Sequence, residues 1–188
     1  MFLSFFREPP PLETPRLILR RLHLSDTDDL FEYASDPEVA RHVLWKAHTD
    51  RSQSRAFLRE ARRQYRNGFP GSFAIVLKET QKMIGTIGFM WINPEYHSCE
   101  VGYSLNRNYW NRGLMTEALR AVVAFAFDEL RLNRIEAQHE RDNPASGRVM
   151  AKAGMRYEGT LRQRIRNKGH YSDVALYAIL RSDFNKGG

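Results

Sequence analysis

The most constraining feature of the sequence is a segment in which a strand, a loop and a long apolar helix follow one another. Residues 100–105 (EVGYSL) are strand-like, the loop after them contains Arg112 and Gly113, and the helix begins at Leu114 or Thr116. Amides at a helix start lack intrahelical partners, and the helix dipole favours negative charge there. The segment is therefore a candidate phosphate loop, with a plain strand–helix connection as the alternative.

The rest of the chain predicts one domain with a mixed α/β sheet, because strands dominate first and then alternate with helices. Ser25 and Asp28 predict the cap of a helix over 26–35, and the face of helix 51–66 that carries Phe57, Ala61 and Tyr65 is expected to meet the core. Further helices are predicted at 114–130 and 143–153. Strands are predicted at 16–22, 72–77, 83–91, 99–105, 134–139, 155–159 and 171–180.

Composition excludes several classes of protein. The chain has 188 residues, of which 42% are hydrophobic and 12% aromatic, enough for a core. The single cysteine, Cys99, excludes an intrachain disulfide framework and a cysteine-cluster zinc site, and no metal is expected. No apolar run is long enough for a membrane span, and the apolar stretch 1–6 is too short for a secretory signal. A cytoplasmic protein is expected.

Positive charge is concentrated in two places. The net charge is +7, and helix 51–66 carries six arginines against Glu60, while a second basic cluster lies at 162–168. Such a balance favours an anionic partner: nucleic acid, an acidic protein surface or a phosphorylated cofactor. A solvated amphipathic helix is the alternative explanation for 51–66.

Several motifs in order resemble the GNAT superfamily of N-acetyltransferases, and in particular its RimJ/RimL type, which acetylates the N-termini of ribosomal proteins. The motifs are ETPRL at 13–17, GTIG at 85–88, EVGY at 100–103, YWNRG at 109–113, TEA at 116–118, DNPAS at 142–146, KAGM at 152–155, and Asp173, Val174 and Tyr177. The resemblance covers residues 12–182, with an N-terminal arm at 1–11 and a C-terminal tail at 183–188. Trp110 and Met115 depart from the wider superfamily's loop pattern.

This resemblance implies a single-domain GNAT fold, with a mixed, mostly antiparallel central sheet that is splayed at the cofactor site and flanked by about four helices. It implies acetyl-CoA as cosubstrate, with pyrophosphate on the loop amides and the pantetheine arm along the open strand edge. The implied cofactor contacts are Tyr103, Ser104, Leu105, Trp110, Asn111, Arg112, Gly113, Leu114, Met115, Thr116, Asn143 and Ser146. Without the resemblance, Asn143 would be taken only as a helix cap.

Acetyl transfer to an amine needs an oxyanion donor, a proton acceptor and a proton for the leaving sulfur. The backbone N–H of Leu105 is the expected oxyanion donor. Glu100 is the first choice as base, with Glu136 and Glu158 as alternatives. Ile165 stands where some relatives carry a carboxylate and cannot serve. Ser146 or Tyr171 would return a proton to the sulfur.

The expected acceptor is a protein N-terminus, because near pH 7.4 roughly a quarter of an α-amine is neutral against roughly a thousandth of a lysine amine. A small amine such as a polyamine, an amino acid or an antibiotic is the alternative acceptor. A basic nucleic-acid-binding module without catalysis is a further alternative. Contact with the ribosome through the basic face and a homodimer are both left open.

Overall fold

The strands of the protein form one sheet, in which every neighbouring pair but one is antiparallel. The computed structural model describes residues 6–184. Its strands are β1 (Leu12–Glu13), β2 (Leu17–Arg21), β3 (Ser72–Leu77), β4 (Lys82–Asn93), β5 (Ser98–Leu105), β6 (Arg134–Glu140), β7 (Arg156–Asn167) and β8 (His170–Leu180). Their order is β1-β2-β3-β4-β5-β6-β8-β7, and β5 and β6 are the parallel pair.

Helices cover both faces of this sheet. They are α1 (Thr27–Ala34), α2 (Pro37–Ala40), α3 (Arg51–Asn67), α4 (Leu114–Asp128), α5 (Pro144–Lys152) and α6 (Arg181–Phe184). The larger core lies between the sheet and helices α4 and α5, and the smaller one between the sheet and helices α1 and α3. We call these two sides the α4 face and the α3 face. No helix among residues 6–184 is long and apolar enough to cross a bilayer.

The central feature of the sheet is the short pairing between β5 and β6. Three residue pairs connect them, Ser98 to Glu100 with Arg134 to Glu136, and the strands then diverge. Helix α4 makes the crossover that a parallel pair requires. The mixed, mostly antiparallel sheet with a splayed centre is thus confirmed.

Three local predictions were wrong. Ser25 does not cap α1, because a 3-10 turn over Leu24–Asp26 precedes the helix and the Asp26 carboxylate accepts the N–H of His23. Phe57 is 38% exposed, and it is Leu58 that packs into the core beside Ala61 and Tyr65.

The third error concerns residues 160–170, which we expected to form a loop after a strand ending at 159. They instead extend β7 and pair it with β8 as a hairpin. Lys168 and Gly169 both have positive φ, 49° and 94°, which suits the tight two-residue turn between antiparallel strands. Residues 1–5 of the predicted arm and 185–188 of the predicted tail lie outside the described part.

Candidate active site

The loop between β5 and α4 is shaped to present backbone amides. Asn111 and Gly113 have positive φ, 59° and 73°, and Gly113 is the residue before the first helical turn. The side chains of Leu114 and Met115 are buried, so these residues offer their N–H groups rather than their side chains, whereas Thr116 also lines the hollow beside the loop. Free amides at the start of a 15-residue helix are suited to binding an anion.

Trp110 holds this loop against the end of β5. Its indole Nε1 donates to the carbonyl of Leu105 over 2.8 Å, although the ring is 40% exposed. The guanidinium of Arg112 lies over the ring of Tyr109, 5.4 Å from its centroid. Trp110 therefore shapes the loop, which explains how an indole can stand where the wider superfamily has a phosphate-binding side chain.

Glu117 ties the start of α4 to the N-terminal edge of the sheet. Its carboxylate accepts from the Thr14 hydroxyl at 2.6 Å, the Arg16 amide at 2.9 Å and the Arg16 guanidinium at 2.7 Å. Arg16 also donates to the carbonyl of Arg112, inside the loop. Burial raises the pKa of Glu117, but these donors outweigh it and leave the pKa below its usual value. The sequence analysis identified the motifs at 13–17 and 116–118, but it did not predict that they contact each other.

The Leu105 amide points into the gap between the diverging strands. The backbone N–H of Asn106 donates to the carbonyl of Ile84, in the neighbouring strand β4, over 2.8 Å. Successive N–H groups of a strand point to opposite edges, so that of Leu105 is directed towards β6. At this level β6 has already separated from β5.

Tyr103 and Ser146 meet on the α4 face of the gap. The two hydroxyls are 2.9 Å apart, and the Tyr103 hydroxyl lies 3.1 Å from the Ser146 carbonyl. Burial raises the pKa of Tyr103 far above its ordinary value, so its phenol stays protonated. Asn143 caps α5, its side-chain oxygen accepting the Ser146 N–H at 3.4 Å. The structure thus brings three predicted residues together at one helix start.

The three candidate glutamates differ in their partners. Arg134 binds Glu136 at 2.6 Å and forks onto both oxygens of Glu158. Glu100 is the last residue of β5 that pairs with β6. Its carboxylate instead accepts hydrogen bonds from two neutral side chains, Trp91 at 2.8 Å and Gln138 at 3.0 Å. Of the three, Glu100 is the one whose charge no ion pair neutralises within residues 6–184.

Two other predicted residues lie apart from the Tyr103–Ser146 pair. Tyr171 is 66% exposed on the β7–β8 hairpin, with Arg166 5.9 Å from its ring centroid. Ser104 points to the α3 face, where its hydroxyl is 3.1 Å from that of Thr86. Ser104 therefore offers the gap its backbone, not its hydroxyl.

One side-chain contact on the α3 face was not predicted from the sequence. Nδ1 of His42, in the segment after α2, lies 3.1 Å from Oε2 of Glu140, at the end of β6. The two residues are 98 positions apart in the chain. No motif marks either of them, so only the fold could reveal this contact.

Comparison with known proteins agrees with this geometry. The chain matches the acetyltransferase (GNAT) domain over residues 16–156, which is 141 of its 188 residues. It is 37% identical to the uncharacterized N-acetyltransferase p20 of Bacillus licheniformis, over 92% of this chain and 97% of that protein. It is 27% identical to the [ribosomal protein uS5]-alanine N-acetyltransferase of Escherichia coli, over 94% and 93% of the two chains.

The fold is also found in a solved structure, that of a GNAT-family acetyltransferase from Bacillus anthracis. The TM-score is 0.82, with 29% identity, 92% of this chain and 99% of that one covered. A sheet with one parallel pair that splays beside a helix-start loop is therefore the framework of an acyltransferase. The chain belongs to the GNAT family of N-acetyltransferases.

The Glu117 contacts predict how stability depends on pH. A carboxyl whose folded-state pKa is lowered stabilises the protein above its unfolded-state pKa, and that contribution is lost as pH falls through the folded-state pKa. We expect the melting temperature to fall on acidification below about pH 4.5, the ordinary value for Glu. Glu117→Gln should melt lower than wild type at pH 7 and lose less on acidification. Glu129→Gln, an exposed residue at the other end of α4, is the charge-matched control. Equal acid sensitivity in both variants would contradict this role.

Proposed function

We propose that the protein transfers the acetyl group of acetyl-CoA to the N-terminal α-amine of a protein. The observation that carries the proposal is the gap between β5 and β6, which opens beside the helix-start loop and has the Leu105 amide directed into it. Membership of the GNAT family supports acetyl-CoA as the cosubstrate. Family membership does not specify the acceptor, so the α-amine is the more specific part of the proposal.

The proposed cofactor site runs from the loop into the gap. The pyrophosphate accepts from the amides of residues 111–116, with Arg112 and the Thr116 hydroxyl as helpers. A hollow of about 690 Å³ adjoins this loop, where Arg120 and Lys152 line it beside the Arg16–Glu117 ion pair, and these two cations suit the charged nucleotide end of coenzyme A. The pantetheine arm follows the open edge of β5 at Tyr103–Leu105, near Asn143 and Ser146, much as an added strand would.

The proposed reaction is direct attack of the neutral amine on the thioester carbonyl. Its oxygen becomes an oxyanion that accepts from the Leu105 N–H, and the carbon–sulfur bond then breaks. The Tyr103–Ser146 hydroxyl pair is placed to return a proton to the sulfur. Burial raises the pKa of Cys99 to about 12, so this core thiol is unsuited to carrying the acetyl group. Two side chains on the α3 face, Glu100 and His42, are candidates for taking the amine proton.

A cleft on the α3 face supports a peptide over a small amine. It has a volume of about 510 Å³ and runs between the C-terminal half of α3 and β4. Phe69, Met90 and Trp91 line it and are exposed, and Trp91 donates to Glu100. Exposed apolar side chains beside a catalytic gap fit the residues that follow an acceptor's first one.

The charge of α3 supports docking on a polyanion, for which ribosomal RNA is the candidate. Six arginines and one glutamate give this helix +5 of the chain's net +7. Arg55, Arg59, Arg62 and Arg66 fall within about 60° of each other around the helix axis, over about 16 Å. All four are exposed and have no ion pair or hydrogen bond within residues 6–184. The planar guanidinium group of arginine can donate two hydrogen bonds at once to phosphate oxygens.

Gly113→Asp tests the phosphate loop. A carboxylate placed against the pyrophosphate, on a backbone with φ of +73°, should raise the Kd for acetyl-CoA at least about tenfold, or about 1.4 kcal/mol, by calorimetry. Gly169→Asp, at φ +94° in the hairpin turn, is the control for backbone strain and should bind normally. A folded Gly113→Asp protein with unchanged affinity would remove the loop from the cofactor site.

The acceptor class is tested by release of coenzyme A at pH 7.4. Peptides with free Ala, Ser, Met or Thr N-termini should react with kcat/KM at least about 100-fold above N-blocked peptides carrying a lysine, because far more of the α-amine is neutral. Turnover of polyamines, amino acids or aminoglycosides alone would instead assign a small-molecule acceptor. Binding of acetyl-CoA must be shown in parallel, so that a missing acceptor is not mistaken for an idle site.

Two double variants that remove equal charge test whether the exposed arginines of α3 bind RNA. Arg59→Gln with Arg62→Gln should weaken binding to a single-stranded RNA oligonucleotide and reduce the salt slope by about 1 to 2, as the loss of two phosphate contacts would. Arg51→Gln with Arg63→Gln removes arginines already paired with Asp28 and Glu60 and should have less effect. Equal losses would show a non-specific effect of net charge. Turnover of a short peptide should be unaffected by Arg59→Gln with Arg62→Gln; it is not used to judge the second pair, because Arg63 lines the cleft proposed for the peptide.

A further inference from the structure

His42 and Glu140 form a dyad whose carboxylate is buried. Glu140 is 7% exposed, and its Oε2 lies 3.1 Å from His42 Nδ1, while its Oε1 accepts from Asn167 at 2.9 Å. Burial raises the pKa of Glu140, but hydrogen bonds from Asn167, His42 and Ser172 outweigh it, so the pKa stays below its usual value. Glu140 is therefore a carboxylate at neutral pH.

This carboxylate fixes the tautomer of His42. An ionised carboxylate accepts hydrogen bonds and cannot donate them, so Nδ1 must carry the proton. In the neutral ring Nε2 is then the free base, as in other histidines oriented by a carboxylate. Within residues 6–184 no ion pair or hydrogen bond engages Nε2.

The segment that carries His42 is anchored to the β7–β8 turn. Nζ of Lys168 donates to the carbonyls of Ala40, Arg41 and Val43, at 2.7, 3.2 and 2.8 Å. These carbonyls stand on both sides of His42 along the chain. The imidazole is thus held by the backbone around it as well as by Glu140.

The dyad lies at the end of β6, as many residues beyond the last register pair as Ser104 lies along β5. Glu100 and Glu136 are register partners in the parallel pair, and four residues further along lie Ser104 and Glu140. Glu136 and Gln138 alternate with the core residues Ile135 and Ala137, so Glu140 projects to the α3 face. Glu100 lies at the closed end of the gap, about 13 Å along β5 before Ser104.

We propose, building on the acetyl transfer proposed above, that Nε2 of His42 takes the proton of the acceptor amine and that Glu140 is its positioning residue. The amine lone pair forms the new C–N bond to the acetyl carbon, and the carbon–sulfur bond breaks. The amine proton passes to Nε2, giving an imidazolium next to Glu140. Return of that proton to the thiolate, through the hydroxyls of the gap, yields the amide and free coenzyme A.

His42 suits this step better than Glu100. Both oxygens of Glu100 already accept hydrogen bonds, from Trp91 and Gln138, whereas Nε2 is unengaged. A proton acceptor is most effective when its pKa lies near the working pH, which favours imidazole over carboxylate. The charged groups around His42 are Glu140 at the end of β6, Asp142 in the loop after it, Lys168 from the hairpin turn, and the Glu38–Arg41 pair of its own segment.

The test is the pH dependence of kcat/KM with a free N-terminal peptide. On the acid side of the profile the wild type needs both an unprotonated amine and an unprotonated proton acceptor, so log kcat/KM should rise with a slope of two. His42→Gln should show a slope of one and lose about 100-fold in kcat/KM at neutral pH. It should bind acetyl-CoA normally, which also shows that it folds.

The control is His170→Gln, which removes an exposed histidine from the same hairpin and should keep a slope of two. Glu100→Gln should keep that slope as well. If His42→Gln keeps a slope of two and most of its activity while the wild type turns over, the role of His42 is overturned and the proposed function stands. If the wild type releases no coenzyme A with any peptide, the proposed function fails instead.

The same side chains could also serve a cation, since the ligand atoms of His42, Glu140 and Asp142 lie within 4.8 Å of one another. Wild-type enzyme treated with EDTA should therefore be assayed with and without Zn²⁺. Unchanged activity is expected for a proton acceptor. Loss of activity on chelation, restored by Zn²⁺, would overturn the proposal in favour of a metal site.

Discussion

The early divergence of β5 from β6 is the constraint on which the rest of the structure depends. Three register pairs hold the strands together, and beyond Glu100 the backbone groups of β5 on that side face a gap. Backbone N–H and C=O groups along a strand edge inside a sheet cost folding free energy unless hydrogen-bond partners satisfy them. On the α4 face the gap is bridged where Tyr103 meets Ser146 of α5, and the proposed pantetheine arm would pair with the open edge of β5.

Two tethers hold the walls of this gap in place. On the α4 face, Glu117 links the helix start to Thr14 and Arg16, so the loop before α4 is anchored to the N-terminal edge of the sheet. On the α3 face, Lys168 and Glu140 hold the segment of His42 against the hairpin and β6. Both tethers use buried or half-buried carboxylates with several donors, which are stronger than exposed ion pairs. The two walls of the gap are thus fixed by separate parts of the chain.

In the proposed reaction, the two faces of the sheet divide the chemistry between them. The α4 face carries the helix-start amides and the Tyr103–Ser146 hydroxyls, which suit the phosphates and sulfur of the cofactor. The α3 face carries Glu100, His42 and the apolar cleft of Phe69, Met90 and Trp91, which suit an amine and the peptide behind it. The Leu105 amide lies at their boundary. A reaction that joins two substrates from opposite faces needs such an opening through the sheet.

The sequence alone determined the elements and the loop, because hydrophobic periodicity and the glycine before α4 are local signals: β3 was placed at its observed bounds and α4 began where expected. The extent of β7 was missed, because a charged strand held by pairing with β8 has no periodic signal of its own. Only the tertiary structure brought Glu117 to Arg16 and His42 to Glu140. These contacts join residues about one hundred positions apart, and no local pattern encodes which distant partner a carboxylate will meet.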